Sequence, residues 1–228
     1  MAKEFVSADH VHPLLFTDGN SIFKVDPNPT VMILGLSFPL PKNEAVKPIY
    51  SSIIKMKDES VIIAETPRVI IRHFCTENFA DLAPILANPE VMKYSLAGVL
   101  SSNQTRKFIQ KMLCRYESEG YGYYAIIDRH NTQLIGYCGL LFCLIEGSRK
   151  VEIGYRLDPH YWQKGLATEA ATAVRDYAFN QLSLNDLIAL IQPKNIASIK
   201  VAEKIGMKFE RNYTFSGMPV KIYRIFKP

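Results

Sequence analysis

Val151-Glu152-Ile153-Gly154-Tyr155-Arg156-Leu157-Asp158-Pro159-His160-Tyr161-Trp162-Gln163-Lys164-Gly165-Leu166-Ala167-Thr168-Glu169-Ala170 is the stretch that decides how this chain folds. A strand ends at Asp158-Pro159, and a short loop leads into a helix whose first turn holds small residues. A helix N-terminus leaves about four backbone N–H groups unpaired and carries partial positive charge, so it attracts phosphate. Gly165 and Ala167 keep side chains out of an anion's path, and Lys164 adds positive charge at the rim. Taken alone, a glycine-containing turn from strand to helix is more often structural than ligand-binding.

Outward from this stretch the pattern is regular. Upstream, Val69–Phe74 reads as a strand and Thr76-Glu77-Asn78-Phe79 as a capped helix start, continued by Leu82, Ile85 and Leu86 at helical spacing. Asn88-Pro89-Glu90 opens a second short helix, with proline in its permitted first position. Ser102–Glu119 is a longer helix with an apolar stripe of Phe108, Ile109, Met112, Leu113 and Tyr116. Strands at Tyr123–Asp128, Gln133–Leu144 and Lys150–Leu157 follow. Downstream come a helix from Thr168 to Gln181, a strand Asp186–Gln192, a helix Asn195–Ile205, and strands Lys208–Tyr213 and Val220–Phe226. The order β-α-α-α-βββ-α-β-α-ββ predicts an α/β sandwich on a mixed sheet flanked by helices.

Residues 1–60 stand apart as an N-terminal extension, with 61–228 as the main domain. Asp26-Pro27-Asn28-Pro29 and Pro39-Leu40-Pro41 punctuate short apolar pieces, Ser21–Val25 and Val31–Phe38, which read as a strand pair. Glu44–Lys57 reads as a helix that Pro48 must start or break. The extension is either a small β-rich layer packed on the main domain or a separate binding module.

A chain of 228 residues, 48% hydrophobic and 21% charged, buries roughly 70% of its unfolded surface and needs no covalent staples. Met1-Ala2-Lys3-Glu4 leads into polar sequence without a secretory pattern, and no apolar run reaches the roughly 18 residues that cross a bilayer. A soluble cytoplasmic protein is expected, with no membrane partner. Cys75, Cys114, Cys138 and Cys143 form no CxxC pair, and three of them sit in apolar strand or helix patterns, so inert thiols are expected. His10 and His12 lack neighbouring ligands that would complete a metal site, and no metal is expected. The charge of +5 is spread along the chain, so nucleic-acid binding has little support.

The central stretch resembles the acetyl-CoA-binding motif of the GNAT superfamily of N-acetyltransferases, whose loop is usually [Arg/Gln]-x-x-Gly-x-[Gly/Ala]. Here that frame reads Trp162-Gln163-Lys164-Gly165-Leu166-Ala167; Trp replaces the usual first residue, as in the RimJ/RimL-like branch, and Gln163 stands where that branch commonly has glycine. Glu152-Ile153-Gly154-Tyr155 is similar to the branch's preceding strand. Asn195-Ile196-Ala197-Ser198 followed by Ala202-Glu203-Lys204-Ile205-Gly206-Met207 resembles the family's Asn-x-x-[Ala/Ser]…Glu-Lys-x-Gly helix. Asn88-Pro89-Glu90-Val91-Met92-Lys93-Tyr94 resembles its acceptor-side loop and helix. Together these segments cover roughly residues 61–226.

The resemblance implies the GNAT fold and direct attack of an acceptor amine on the acetyl-CoA thioester. It places acetyl-CoA between the strands Lys150–Leu157 and Asp186–Gln192, with pantetheine amides on backbone near Tyr155 and Leu157. The pyrophosphate would sit on the N–H groups of Gln163, Lys164, Gly165, Leu166, Ala167 and Thr168. The tyrosine that many members use to protonate the thiolate is here Ala202. Ser198 takes that duty in this reading and Asn195 holds the thioester region, although both are also good residues for capping a helix. Glu152 is the candidate base, acting through water, or else a carboxylate satisfied by a neighbouring strand or Arg156. Tyr94, Tyr123, Tyr124 and Tyr213 are candidate groove residues. The acceptor is a protein N-terminal α-amine or a small amine, and a homodimer is left open. The rival reading is a catalytically silent acyl-CoA-binding module.

Overall fold

The structure, a computed structural model, describes residues 61–228 and, within the first 60, a strand pair at β1 (Thr30–Ile33) and β2 (Leu36–Pro39). The chain divides into two units, Met1–Met56 and Lys57–Pro228. In the first, β1 and β2 pair antiparallel with Val31 opposite Phe38. The run Val31–Phe38, expected as one strand against Ser21–Val25, is therefore itself a hairpin. Ser21–Val25, the helix expected over Glu44–Lys57, and His10 and His12 lie outside the described residues.

The second unit is built on eight strands: β3 (Ile62–Glu65), β4 (Val69–Arg72), β5 (Tyr123–Asp128), β6 (Leu134–Ile145), β7 (Ser148–Leu157), β8 (Asp186–Ile191), β9 (Lys208–Phe215) and β10 (Met218–Phe226). Their order in the sheet is β3-β4-β5-β6-β7-β8-β10-β9. Every pairing is antiparallel except β7 with β8, which run parallel and meet at Glu152 opposite Ile188. The sequence pattern omits β3, whose four residues Ile-Ile-Ala-Glu are too short to declare a period.

Helices α1 (Phe79–Ala87), α2 (Pro89–Met92) and α3 (Ser102–Ser118) come from the first half of the chain, α4 (Leu166–Asn180) and α5 (Ile196–Lys204) from the second. Leu82, Ile85 and Leu86 of α1 and Ile109 and Met112 of α3 bury against Ala125, Ile127, Leu134 and Tyr137 of β5 and β6. On the opposite face, α4 lays Ala170, Ala171, Val174 and Ala178, all 0% exposed, against Ile71, Ile126, Ile135 and Ile153. The small residues expected for an anion at this helix's first turn also let its axis approach the sheet closely.

Alternation sends successive side chains of a strand to opposite faces. On β7, Ile153, Tyr155 and Leu157 join the α4 side, and Glu152, Gly154 and Arg156 take the other. Gly154 leaves room there for Tyr123, since a Cβ would lie 2.8 Å from the phenol oxygen.

All four cysteines are free. Cys138 and Cys143 are buried, Cys75 is partly exposed, and Cys114 on α3 faces solvent. It lies outside the row of Ile109 and Met112 that meets the sheet. No described helix is long and apolar enough to cross a membrane.

Candidate active site

Where β7 and β8 part beyond Glu152, a cleft of about 890 Å³ opens along the rest of both strands. It is lined by β7 from Glu152 to Leu157, the end of β8, the loop into α4, the first turns of α5, and the loop after α2. A volume of this order suits a ligand of several hundred daltons.

At one end lies the start of α4. Gly165 is its N-cap at φ +79°, in the left-handed region where a side chain is strained, and Gln163 is also left-handed at φ 59°. The Glu169 amide returns to the Gly165 carbonyl at 3.0 Å, which leaves the amides of Leu166, Ala167 and Thr168 without helical partners. Gln163, Gly165, Leu166, Ala167 and Thr168 all line the cleft. Lys164 does not: its ammonium lies 5.4 Å from the Tyr161 ring centroid, and its carbonyl faces away to accept from Arg68 Nη1 at 2.8 Å. The positive rim expected from Lys164 is thus turned onto an aromatic ring.

Arg68 and Thr66, which no local motif announces, brace this loop from the β3–β4 turn. Arg68 Nε and its backbone N–H donate to Glu169 at 2.6 and 3.0 Å, and Thr66 donates to the same carboxylate at 2.6 Å. Burial raises the Glu169 pKa, but these bonds outweigh it and hold the group below the usual carboxylate value. The one acidic side chain in this helix's first turn is thereby kept charged and tied to neighbouring protein groups. Trp162 supports the other side, donating its indole N–H to the Leu157 carbonyl at 2.8 Å. That bond leaves one lone pair of the Leu157 oxygen able to accept from a ligand in the cleft.

At the β8–α5 corner, the Asn195 Oδ1 accepts from the Ser198 N–H at 3.2 Å and caps α5. The Tyr155 phenol donates to the Ser198 carbonyl at 3.0 Å, tying β7 to α5 through the base of the cleft. Burial pushes this phenol well above its ordinary pKa, so it stays protonated. Tyr155, Leu157, Asn195 and Ser198 all line the cleft. Ala202, one turn further along α5, is 1% exposed and packs in the core. It brings no phenol to this end of the cleft.

On the opposite face stands Glu152, whose carboxyl is pushed up to about 7. Burial is the dominant cause; the Leu190 backbone N–H and the Arg156 guanidinium pull in the other direction and do not cancel it. Arg156 binds the Tyr137 phenol and stays fully protonated; burial opposes its charge, but the Tyr137 and Tyr123 phenols and Glu152 outweigh that. Tyr123 and Tyr94 line the cleft, whereas Tyr124 is 0% exposed, stacked with Tyr116 on the α4 side, and Tyr213 lies under Arg211 on β9. Two of the four candidate groove tyrosines are thus elsewhere: strand alternation sends Tyr124 to the face opposite Tyr123, and Tyr213 sits on β9. The Tyr94 hydroxyl donates to the Lys194 carbonyl at 3.0 Å, and Gln192 Nε2 donates to the Tyr94 carbonyl at 3.3 Å. These bonds hold the loop after α2 against the β8–α5 corner.

Comparison with known proteins agrees with this architecture. Residues 68–208 match the family model described as "Acetyltransferase (GNAT) domain". The chain is 34% identical over 159 residues to "Uncharacterized protein YkkB" of Bacillus subtilis (strain 168), covering 69% of this chain and 92% of that protein. The crystal structure of a GNAT-family acetyltransferase from Bacillus anthracis superposes with a TM-score of 0.62 at 30% identity, over 72% of this chain and 97% of that one. RimL, a ribosomal L7/L12 alpha-N-protein acetyltransferase solved with coenzyme A, shares the fold at 20% identity, TM-score 0.62, over 72% of this chain and 97% of its own. With a mixed eight-stranded sheet parted at one parallel pair and a glycine-capped helix at the mouth of the gap, the chain belongs to the GNAT acetyltransferases, enzymes whose acetyl donor is acetyl-CoA.

Proposed function

We propose that this enzyme N-acetylates an amine, with Glu152 as the general base and the acetyl donor lying along the parted edges of β7 and β8. The observation that carries the reading is the Glu152 carboxyl lining the cleft where β7 and β8 part, with burial pushing it up to about 7. General-base catalysis is most effective when the base titrates near the working pH. The amides of Leu166, Ala167 and Thr168 receive the pyrophosphate, helped by the partial charge of the α4 N-terminus. Asn195 and Ser198 stand beside the thioester, and Ser198 hydrogen-bonds the sulfur.

The acceptor amine enters from the side bounded by Tyr94 and Tyr123. Its nitrogen attacks the thioester carbonyl and forms the C–N bond as Glu152, directly or through water, takes its proton. The C–S bond then breaks, and the thiolate takes a proton from Ser198, which is reprotonated from solvent. An α-amine, with a pKa of about 7.7–8.0, needs little help to become nucleophilic, and a base near 7 brings more basic small amines within reach. RimL, which shares the fold, is a ribosomal L7/L12 alpha-N-protein acetyltransferase, and a RimJ/RimL-like acceptor is the form of this proposal that the Trp162 loop favours.

A second reading rests on Ala202: with no phenol from α5 near the sulfur, the cleft binds acyl-CoA without turnover. CoA release measured against N-terminal peptides and small amines, alongside calorimetry of acetyl-CoA binding, separates the two. Acceptor-dependent CoA release is expected. Tight acetyl-CoA binding with no release on any acceptor would establish the silent module instead.

A further inference from the structure

Arg156 has a guanidinium at the edge of the acceptor side that feels the charge of Glu152 but is in ion-pair contact with no described carboxylate. It lines the cleft on the same face of β7 as Glu152, and its one hydrogen-bond partner among the described residues is the Tyr137 phenol. No described carboxylate forms an ion pair with it, whereas the exposed Arg129 and Arg149 and the partly exposed Arg211 each have one. A guanidinium drawn partly out of water loses hydration that a single neutral phenol does not replace. Its planar fork offers five donors and is shaped for the two oxygens of a carboxylate or phosphate.

We propose that Arg156 is an anion anchor, so that the preferred acceptor is an amine carrying its own carboxylate or phosphate, amine towards Glu152 and anion towards Arg156. The inference rests on the acetyl-transfer reading for the placement of the amine. Four residues of strand separate the two side-chain origins by about 13 Å, and both heads extend into one cleft. The anion therefore lies several bonds from the nitrogen. Tyr123 fills the space over Gly154 between them and gives the connecting chain an apolar wall.

The test uses linear ω-amino carboxylates of three to six carbons and the primary amide of each. Two quantities are measured for every pair: kcat/KM for CoA release, and calorimetric affinity for the enzyme saturated with CoA. Wild type is expected to favour the best carboxylate over its amide by about 10- to 100-fold, the ratio charge-assisted hydrogen bonds supply. In Arg156→Gln that ratio falls towards one, and in Arg156→Lys, which keeps the charge without the fork, it is intermediate. Thermal melting of both variants checks that they fold, and the Lys variant carries the test if the Gln variant does not. Equal treatment of carboxylate and amide by wild type, or an unchanged ratio in both variants, overturns the anchor. If no amine releases CoA but the calorimetric preference holds and depends on Arg156, acetyl transfer fails and the anion site stands.

Discussion

The two faces of β7 divide the labour of the site. Ile153, Tyr155 and Leu157 turn towards α4 and α5, where packing is dense and the Tyr155 phenol, held protonated by burial, bolts the strand to Ser198. Glu152, Gly154 and Arg156 turn towards Tyr123, Tyr137 and the loop after α2, where two ionisable heads stand in a cleft with few fixed partners. One face is built like a core, which suits the proposed donor site; the other keeps charge available for the proposed acceptor. A single strand can do both because its side chains alternate while its backbone edge remains common to the two.

Substitutions on each face should therefore fail differently. The largest effect is expected for Glu152→Gln, which removes the base and lowers kcat/KM by about 10²- to 10⁴-fold. Calorimetry should show acetyl-CoA binding to it with nearly unchanged affinity; a parallel loss of binding would erase the distinction between faces. Next is Gly165→Val. A β-branched residue at φ +79° carries strain on the order of 1–2 kcal/mol, and relief of that strain turns the α4 amides away from the pyrophosphate. Acetyl-CoA affinity should drop roughly 5- to 30-fold on that scale, with acceptor KM at saturating donor little changed.

Ser198→Ala sharpens the comparison from the donor side. Loss of one hydrogen bond to sulfur should lower kcat by about 2- to 10-fold without shifting the melting temperature appreciably. Unchanged kinetics would reduce Ser198 to a first-turn residue of α5. The smallest effect is expected for Arg68→Ala. Its ion pair with Glu169 is half-exposed, with the arginine side chain 52% accessible, so stability should fall by less than about 1 kcal/mol. The KM for acetyl-CoA should rise about two-fold as the Lys164 carbonyl loses its brace.

The donor face was legible in sequence because its signals are local. Asp158-Pro159, Gly165-Leu166-Ala167 and Asn195 each announce a strand end, a helix start or a cap within a few residues. The contacts that brace the cleft were not, because their members come from distant places. Arg68 meets Lys164 across 96 positions and Tyr94 meets Lys194 across 100, and no period or motif encodes such pairings. Lys164 differs for a related reason: its place in the loop suggested positive charge at the rim, whereas its ammonium lies 5.4 Å from the Tyr161 ring centroid. Glu152 was recognised as a candidate base, while its raised pKa depends on burial that only the assembled sheet provides.

The most direct measurement is the pH dependence of kcat/KM, with acetyl-CoA saturating and one good acceptor, for wild type and Glu152→Gln. Below its pKa Glu152 carries the proton and cannot accept another, and the amine must also lose one, so the wild-type rate should climb about a hundredfold per pH unit at acid pH and bend to about tenfold per unit near 7. In Glu152→Gln that bend should vanish and leave only the ionisation of the amine. A variant that kept the same bend near 7, at whatever absolute rate, would show that another group takes the proton and that the carboxyl on β7 is a bystander.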